Sequence, residues 1–541
     1  KDFSNKMIAC VVLVFIGIIT DAFKPNLDEL PNILRSTPFH AQISQSFLRY
    51  QLKNKGMNSI NDDINKDLLD NCTEYYITQD LDHYNWRLAP NGQSTYKQRY
   101  FICNEQYFKP NSSIFFYTGN ESPVTLYVNN TGLMWENSES FNAMLIFAEM
   151  RYFGKSFPFE KYDILFENND YWSYLNIDQA MADYATLIEF ILTKYNSYDS
   201  KIIGFGGSLG GMICSWFRIK FPMWMNGCIS GSAPIMGLMD LIPSIGDGLY
   251  FADGETFDAS KDGGNPNDNC KTNIHTSWDI IFNWTTTSDG RIKLKDAFNL
   301  CTVPVDAKEA NYTVNWILSA IGTMAMGSYP YSSSYLTGGL APLPPYPLRR
   351  ACEYIDYAYN GDEFKLISDI GSAMGVYYNN TGNIDCYIPI NITSILNENI
   401  LDSYYPALAC GYFHCTTVPM PQSMNGITDM FFESIWNYTD IKESCKLGYS
   451  VVPRQKWGLI NYGGYRISNT GVSNIVFSNG MLDPLHGAGV LVNLSISNDL
   501  YAINTGYVGH HMDLFFSNPN DTESIINARK FEIQKIQEWL Q

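Results

Sequence analysis

The stretch KIIGFGGSLGGM, residues 201–212, decides the fold. Its first five residues form an apolar run that is typical of a buried strand, and residues 212–220 are typical of a helix. Between them lies a G-x-S-x-G pentapeptide centred on Ser208. A strand, a tight turn and a helix in this order predict a nucleophile elbow, in which glycines avoid clashes in a strained turn. Such a turn raises the Ser208 hydroxyl above the sheet and directs the Leu209 N–H at a developing oxyanion.

The pentapeptide needs partners, because a chain of this length contains on the order of 0.2 such sequences by chance. A nucleophilic serine needs a base, and the base needs an acid that holds its tautomer. In the α/β-hydrolase arrangement the order along the chain is Ser, then Asp or Glu, then His. Asp483 follows the strand-like run 474–477, and His510 follows the next strand-like run, 500–503. We therefore predict a triad of Ser208, Asp483 and His510.

Two other histidines near the C-terminus are alternative bases. His511 is adjacent to His510, and neighbouring loop residues point in different directions, so one of the two is expected to reach Ser208. His486 lies three residues after Asp483, which is too close for it to arrive from a separate strand. The matched order and strand context favour His510 over both.

The alternation of strand-like and helix-like runs predicts the domain organisation. The alternation holds from about residue 75 to 233, is lost from about 235 to 400, and returns afterwards. Together with the nucleophile elbow, this pattern predicts an α/β-hydrolase fold with an inserted, mainly helical region. The predicted boundaries are residues 23–234 and 401–541 for the hydrolase domain and 235–400 for the inserted region.

Composition and the N-terminal stretch indicate a secretory protein. The 541 residues are 45% hydrophobic and 17% charged, as in ordered globular proteins. The net charge of −19 makes binding to a nucleic-acid backbone improbable. Two lysines precede an apolar run of about thirteen residues, from Met7 to Ile19, which predicts a signal peptide over residues 1–22. No other stretch is long enough to cross a bilayer. A lysosome-like or extracellular location follows.

Cysteines and sequons agree with that route. Eleven cysteines follow Cys10, so at least one of them is unpaired. We predict Cys214, on the helix after Ser208, as a buried free thiol. Four cysteines of the middle region are expected to staple the inserted region, with connectivity left open: Cys270, Cys301, Cys352 and Cys386. No C-x-x-C spacing occurs, so neither a metal site such as zinc nor thioredoxin-like redox chemistry is predicted. Eleven N-x-S/T sequons are present, of which Asn120 is a poor candidate for a glycan.

Several blocks resemble one peptidase family over nearly the whole chain from about residue 75. The chain resembles the serine peptidases that include lysosomal Pro-X carboxypeptidase, dipeptidyl peptidase II and thymus-specific serine protease, and it is most similar to the Pro-X carboxypeptidase branch. The matching blocks are FFYTGNE (115–121), FAEMRYFGKS (147–156), DQAMAD (178–183), GGSLGGM (206–212), SNG-x-x-DP (478–484) and GHHMDL (509–514).

The resemblance implies that the inserted region, residues 235–400, is a helical cap domain of an α/β hydrolase. It also implies an exopeptidase that cuts next to proline, with a Ser-Asp-His triad, no cofactor and an acidic or extracellular working place. The first His of the GHHMDL block is the catalytic one in that family, which supports His510. Peptides with proline near one end are the implied substrates, and dimers occur among the relatives. The Asn120 loop is expected to line the substrate pocket and to offer the second oxyanion donor beside Leu209.

Four positions depart from the family pattern: Met150, Leu209, Leu485 and Thr417 replace His, Tyr, Trp and Glu. The change at Leu209 leaves a backbone donor intact. The loss of an aromatic ring at Leu485 is expected to change how a proline ring is held in the pocket.

Three other functions stay open at this point. They are a dipeptidyl aminopeptidase that removes N-terminal X-Pro, an esterase or lipase on the same scaffold, and an inactive binding homologue.

Overall fold

The computed structural model describes residues 68, 70–239, 248–388 and 401–541, with side chains in the last range from residue 405 onward. The predicted signal peptide, residues 1–22, lies outside the described residues. No helix within these ranges combines the length and the apolar character that crossing a membrane requires.

An eight-stranded sheet forms the centre of the molecule, in the order β1-β2-β4-β3-β5-β6-β7-β8. The first two strands pair antiparallel, β2 pairs antiparallel with β4, and all later pairs are parallel. This largely parallel sheet with helical crossovers confirms the predicted α/β-hydrolase fold. The strands are β1 Cys72–Asp80, β2 Thr95–Cys103, β3 Ile114–Thr118, β4 Met144–Ala148, β5 Ile202–Gly207, β6 Gly227–Gly231, β7 Ile475–Asn479 and β8 Leu500–Asn504.

The central strands are apolar along their whole length because both faces of the sheet are covered. Every residue of β3, β4, β5, β6 and β7 is buried. Neighbouring residues of β6 show the two faces, since side chains alternate along a strand. Gly227 packs against Trp539 of the C-terminal helix, and Cys228 bonds to Cys214 of the helix after β5.

The α-helices lie between these strands and after them. The helix that follows β5 begins at Leu209, three residues before the predicted start, and ends at Lys220. The α-helices are Val124–Asn130, Gly132–Asn137, Ile164–Glu167, Ile177–Lys194, Leu209–Lys220, Tyr250–Asp258, Asn269–Thr286, Ser288–Ala297, Ala307–Ala310, Tyr312–Met326, Pro347–Cys352, Glu363–Tyr378, Leu401–Cys415, Tyr438–Tyr449, Trp457–Tyr462 and Glu523–Leu540. The 3₁₀ turns are Glu105–Tyr107, Asn169–Tyr174, Ile235–Gly237, Glu353–Ile355, Gly464–Asn469, His486–Ala488, Ile496–Asn498 and Met512–Leu514.

The helices from Tyr250–Asp258 to Glu363–Tyr378, which lie between β6 and β7, pack around a second hydrophobic core. Its buried members run from Ala252 to Tyr387 and include Trp278 and Trp316, with Ala407, Met430 and Phe431 joining from the later chain. The disulfides Cys270–Cys352 and Cys301–Cys386 cross-link this helical region. The expectation that these four cysteines staple the region is confirmed.

The prediction of a free thiol at Cys214 was wrong. Cys214 pairs with Cys228 because the helix after β5 lies directly over β6, which brings the two Cα atoms within 6.1 Å. The remaining disulfides are Cys72–Cys103 and Cys415–Cys445. Among the described cysteines, the free one is Cys410, and it is buried.

This disulfide pattern makes a prediction about alkylation. When the protein is denatured without reductant and treated with iodoacetamide, Cys410 becomes carbamidomethylated and Cys214 does not, because only a free thiol reacts. Peptide mass mapping measures both sites, and a sample reduced first is the control in which both are modified. Modification of Cys214 without reduction would contradict the pairing.

Candidate active site

Ser208 occupies a strained turn between β5 and the helix Leu209–Lys220. Its backbone angles are φ 58° and ψ −128°, a region that residues with a side chain rarely adopt. The Ser208 N–H donates to the carbonyl of Gly231 at 2.8 Å, which ties the turn to the end of β6. The geometry is the strand–turn–helix elbow that the pentapeptide predicts.

The turn is possible because its flanking positions have no side chains. A Cβ on Gly206 would lie 2.3 Å from the backbone carbon of Gly210, and one on Gly210 would lie 2.8 Å from the carbonyl of Thr118. Both distances are far below van der Waals contact, so strand, turn and helix approach this closely only with glycine at these two positions.

Asp483 and His510 meet in the loops that follow β7 and β8. The Nδ1 atom of His510 lies 2.7 Å from Oδ2 of Asp483. Both residues are buried, with 3% of His510 and 1% of Asp483 exposed. The other carboxylate oxygen, Oδ1, accepts the N–H of Leu485 at 3.0 Å. A carboxylate oxygen accepts hydrogen bonds, so this contact fits the neutral His510 tautomer that carries its proton at Nδ1 and leaves Nε2 unprotonated.

The rings of the two alternative bases, His511 and His486, have other surroundings than the His510 ring. The His511 ring packs under the elbow, where a Cβ on Gly207 would come within 2.6 Å of it, and against the rings of Tyr335 and Phe515. Burial, with a contribution from His510, holds the pKa of His511 well below its usual range. His486 begins a 3₁₀ turn, and its N–H donates to the backbone carbonyl of Asp483 at 2.9 Å.

A cavity at the carboxyl edge of the sheet brings the predicted residues together. Ser208 and His510 both line it, as do Leu209, Asn120 and Leu485. Leu209 is the first residue of its helix, so its N–H has no partner within the helix. The rest of the lining is mostly apolar: Glu121, Ser122, Leu126, Tyr127, Met212, Pro234, Met326, Tyr335, Leu336, Val418 and Met420.

Thr417 does not line this cavity. Its neighbour Val418 does, whereas Thr417 is buried beside a separate surface cleft lined by Tyr84 and Trp457. Thr417 therefore lines that cleft and not the cavity at Ser208. Met150, which also departs from the family pattern, does not line the cavity either and is fully buried in the hydrophobic core around the sheet.

Sequence reasoning missed several lining residues. Glu121 lies next to Asn120 in the quoted FFYTGNE block, so its position could have been found from the motif. Its carboxylate accepts a hydrogen bond from the Asn120 amide nitrogen at 2.8 Å. Tyr335 and Leu336 come from the helical region between β6 and β7, where no motif marked them.

The charge of the cavity is acidic. Glu121 supplies a carboxylate, and none of the described lining residues is a lysine or an arginine. Within the part of the chain that the structure describes, no group of three or more His, Cys, Asp or Glu side chains is arranged to hold a metal ion.

The sheet topology and the elbow define the α/β-hydrolase class, and comparisons with known proteins narrow it. Residues 79–532 match the family described as serine carboxypeptidase S28. The chain is 35% identical over 471 residues to lysosomal Pro-X carboxypeptidase of Homo sapiens, covering 87% of this chain and 88% of that protein. It is 30% identical over 457 residues to prolyl carboxy peptidase like protein 5 of Caenorhabditis elegans, covering 82% and 85%.

The chain belongs to the serine carboxypeptidase S28 family and is a serine peptidase. Among solved structures, an acetylester hydrolase from Corynebacterium glutamicum aligns with a TM-score of 0.35 and 11% identity, covering 86% of this chain and 96% of that one. The fold assignment rests on the sheet topology and the family match.

The buried His511 ring predicts a loss of stability in acid. The folded protein keeps His511 neutral, whereas the unfolded chain binds a proton near pH 6.5, so stability present above that pH is lost as the pH falls. We expect His511→Phe to show a smaller drop in thermal midpoint between pH 7.5 and pH 5 than the wild type, by differential scanning calorimetry. The exposed His275→Gln is the control. Equal drops in His511→Phe and wild type would contradict this account.

Proposed function

We propose that this chain is a serine exopeptidase that hydrolyses peptide bonds next to proline and releases the C-terminal residue from Pro-X ends. The observation that carries the proposal is the buried 2.7 Å contact between His510 and Asp483, in loops that converge with the strained Ser208 on one cavity. The identity to lysosomal Pro-X carboxypeptidases supports the choice of substrate.

The proposed mechanism is acyl transfer through Ser208. Nε2 of His510 takes the proton of the hydroxyl as Oγ attacks the scissile carbonyl carbon, and Asp483 stabilises the imidazolium that forms. His510 then gives the proton to the leaving amine, the C–N bond breaks and an ester links Ser208 to the acyl part of the substrate. A water molecule, deprotonated by His510, hydrolyses that ester and restores Ser208.

The oxyanion of each tetrahedral intermediate needs donors that are oriented in advance. We assign the Leu209 N–H as one donor, because it opens the helix next to the nucleophile and the helix N-terminus favours negative charge. The loop that carries Asn120 follows β3 and lines the same cavity, so it is the proposed source of the second donor.

Substrate selection is proposed to come from the cap, residues 235–400. Three residues of this region line the cavity: Met326, Tyr335 and Leu336. Most of its helices pack around a separate hydrophobic core. A covered site admits chain ends more readily than the middle of a folded chain. The apolar side chain of Leu485, 3% exposed at the cavity wall, is proposed to contact the proline ring.

A dipeptidyl aminopeptidase is the second candidate, and one observation favours it. A carboxypeptidase must neutralise the terminal carboxylate of its substrate, whereas the described cavity lining holds the carboxylate of Glu121 and neither lysine nor arginine. A free N-terminal amine would complement that charge.

The proposed workplace is an acidic lumenal or extracellular compartment. The described residues contain five disulfides, which is typical of proteins that fold in an oxidising environment. The relatives named lysosomal support this location. A homodimer stays a prediction, which light scattering on the purified protein measures.

The triad assignment predicts a large loss of activity in three variants. Ser208→Ala, Asp483→Asn and His510→Ala are each expected to lower kcat by about 10⁴-fold or more, because the three groups act as one proton-transfer unit. A fluorophosphonate probe is expected to label the wild type at Ser208 and not Ser208→Ala. The neighbouring variant His486→Gln is the control. A wild-type protein that folds but is never labelled would favour the inactive binding homologue.

Cleavage of two peptides at pH 5 distinguishes the carboxypeptidase from the dipeptidyl aminopeptidase. One has a blocked N-terminus and ends in Pro-Phe, and the other has a free N-terminus and begins with Ala-Pro. Release of Phe from the first is expected for a Pro-X carboxypeptidase, and mass spectrometry detects it. Release of the Ala-Pro dipeptide from the second would support the aminopeptidase instead. Cleavage of short esters alone would contradict both and favour an esterase.

Glu121→Gln tests which end of the substrate the cavity recognises. If Glu121 pairs with a substrate amine, kcat/KM for the free N-terminal peptide falls about tenfold or more, since a charged hydrogen bond is lost. The blocked peptide is the internal control, because it has no amine to lose. An unchanged ratio between the two peptides would exclude a role of Glu121 in amine recognition.

A further inference from the structure

The loop that carries His510 is held by a segment of the helical region rather than by the sheet alone. The N–H of His510 donates to the carbonyl of Met326 at 2.9 Å, and the N–H of Gly509 donates to the carbonyl of Ser328 at 2.8 Å. The hydroxyl of Tyr329 donates to the carbonyl of His510 at 3.1 Å. Three hydrogen bonds therefore set where the backbone of His510 lies.

The backbones at Gly509 and at residues 326–328 are in close contact. A Cβ on Gly509 would lie 2.3 Å from the carbonyl oxygen of Met326 and 2.8 Å from the nitrogen of Ser328. A movement of the 326–329 segment consequently moves Gly509 and His510 with it.

Asp258 holds the 326–329 segment through a side-chain hydrogen bond. The Ser328 hydroxyl donates to Oδ2 of Asp258 at 2.5 Å, and both residues are fully buried. Asp258 is the last residue of the helix Tyr250–Asp258. Burial raises the pKa of its carboxyl group to about 7, against the lowering effects of the Ser328 hydrogen bond and of Arg349.

The same helix also contacts the loop of the triad acid. A Cβ on Gly254 would lie 2.7 Å from Cα of Pro484, and one on Gly487 would lie 2.9 Å from Cβ of Tyr250. Pro484 directly follows Asp483. One helix thus touches the Asp483 loop through its middle and supports the His510 loop through its last residue.

We propose that Asp258 is a positioning residue, which acts through Ser328 to hold the His510 loop at hydrogen-bonding distance from Asp483 and in line with Ser208. The proposal rests on the proposed catalytic role of these three residues. Asp258 touches neither the substrate nor the reacting atoms, so its effect is on proton transfer and not on substrate binding.

The test compares Asp258→Ala, Asp258→Asn and Ser328→Ala with the wild type at pH 5. Below a pKa of about 7 the Asp258 carboxyl group is protonated, so asparagine is a neutral isostere whose oxygen still accepts from Ser328. Ser277→Ala is the matched control, because Ser277 is another buried serine of the helical region whose hydroxyl donates to Ile274 and does not contact the His510 loop. Near-UV circular dichroism at the assay temperature establishes that each variant is folded.

The readouts are the rate of fluorophosphonate labelling at Ser208 and the kcat and KM of peptide cleavage. We expect Asp258→Ala and Ser328→Ala to lower the labelling rate and kcat by about tenfold to a hundredfold with KM unchanged, since small misplacements of a catalytic group have effects of this size. Asp258→Asn is expected to stay within about threefold of the wild type, because it keeps the hydrogen bond.

The proposal and the triad assignment fail in different ways. Wild-type protein that is folded but not labelled overturns the proposed function and this inference with it. A labelled wild type with Ser328→Ala and Asp258→Ala at the wild-type rate overturns the inference alone. So does a loss in Ser277→Ala as large as that in Ser328→Ala, because that result indicates a general effect of buried serines.

Discussion

The strained backbone at Ser208 is the constraint on which the rest of the structure depends. A residue with φ 58° and ψ −128° persists only where its surroundings determine it, and the cost of such a conformation is of order 1–3 kcal/mol. The hydrogen bond from Ser208 to Gly231 and the close approach of Gly206 to Gly210 fix the turn between a buried strand and a buried helix. The hydrophobic core thus holds the serine in a position that its own conformational preference opposes.

Parallel strands determine where the partners of Ser208 arrive. The carboxyl ends of β3, β5, β7 and β8 lie at one edge of the sheet, so the loops of Asn120, Ser208, Asp483 and His510 converge there although they are up to 390 residues apart along the chain. Buried ion pairs lie at this edge directly after β4: Arg151 donates twice to Asp183 at 2.7 and 2.8 Å, and Arg99 of β2 pairs with Glu149. Glu149 also accepts the N–H of Val124, which ties the pair to the end of the Asn120 loop.

The helical region has two physical roles in this arrangement. It covers the cavity with Tyr335 and Leu336, and its 326–329 segment sets the backbone of His510 by direct hydrogen bonds. Met326 takes part in both, because it lines the cavity and its carbonyl accepts the N–H of His510. The charge of the covered cavity comes from Glu121, so the acidic character of the site lies in the sheet part of the chain and not in the region above it.

The sequence by itself determined the elements whose signals are local. The apolar run before Ser208, the glycines around it and the order of Asp483 and His510 were sufficient to predict the elbow and the α/β-hydrolase fold, and six short sequence blocks indicated the family. The tertiary structure alone decided the pairing of Cys214 with Cys228, the placement of Tyr335 and Leu336 at the cavity and the contact of Asp258 with Ser328, 70 residues later. The reason is physical: a periodic pattern or a turn is encoded within about ten residues, whereas these contacts depend on which helix lies over which strand.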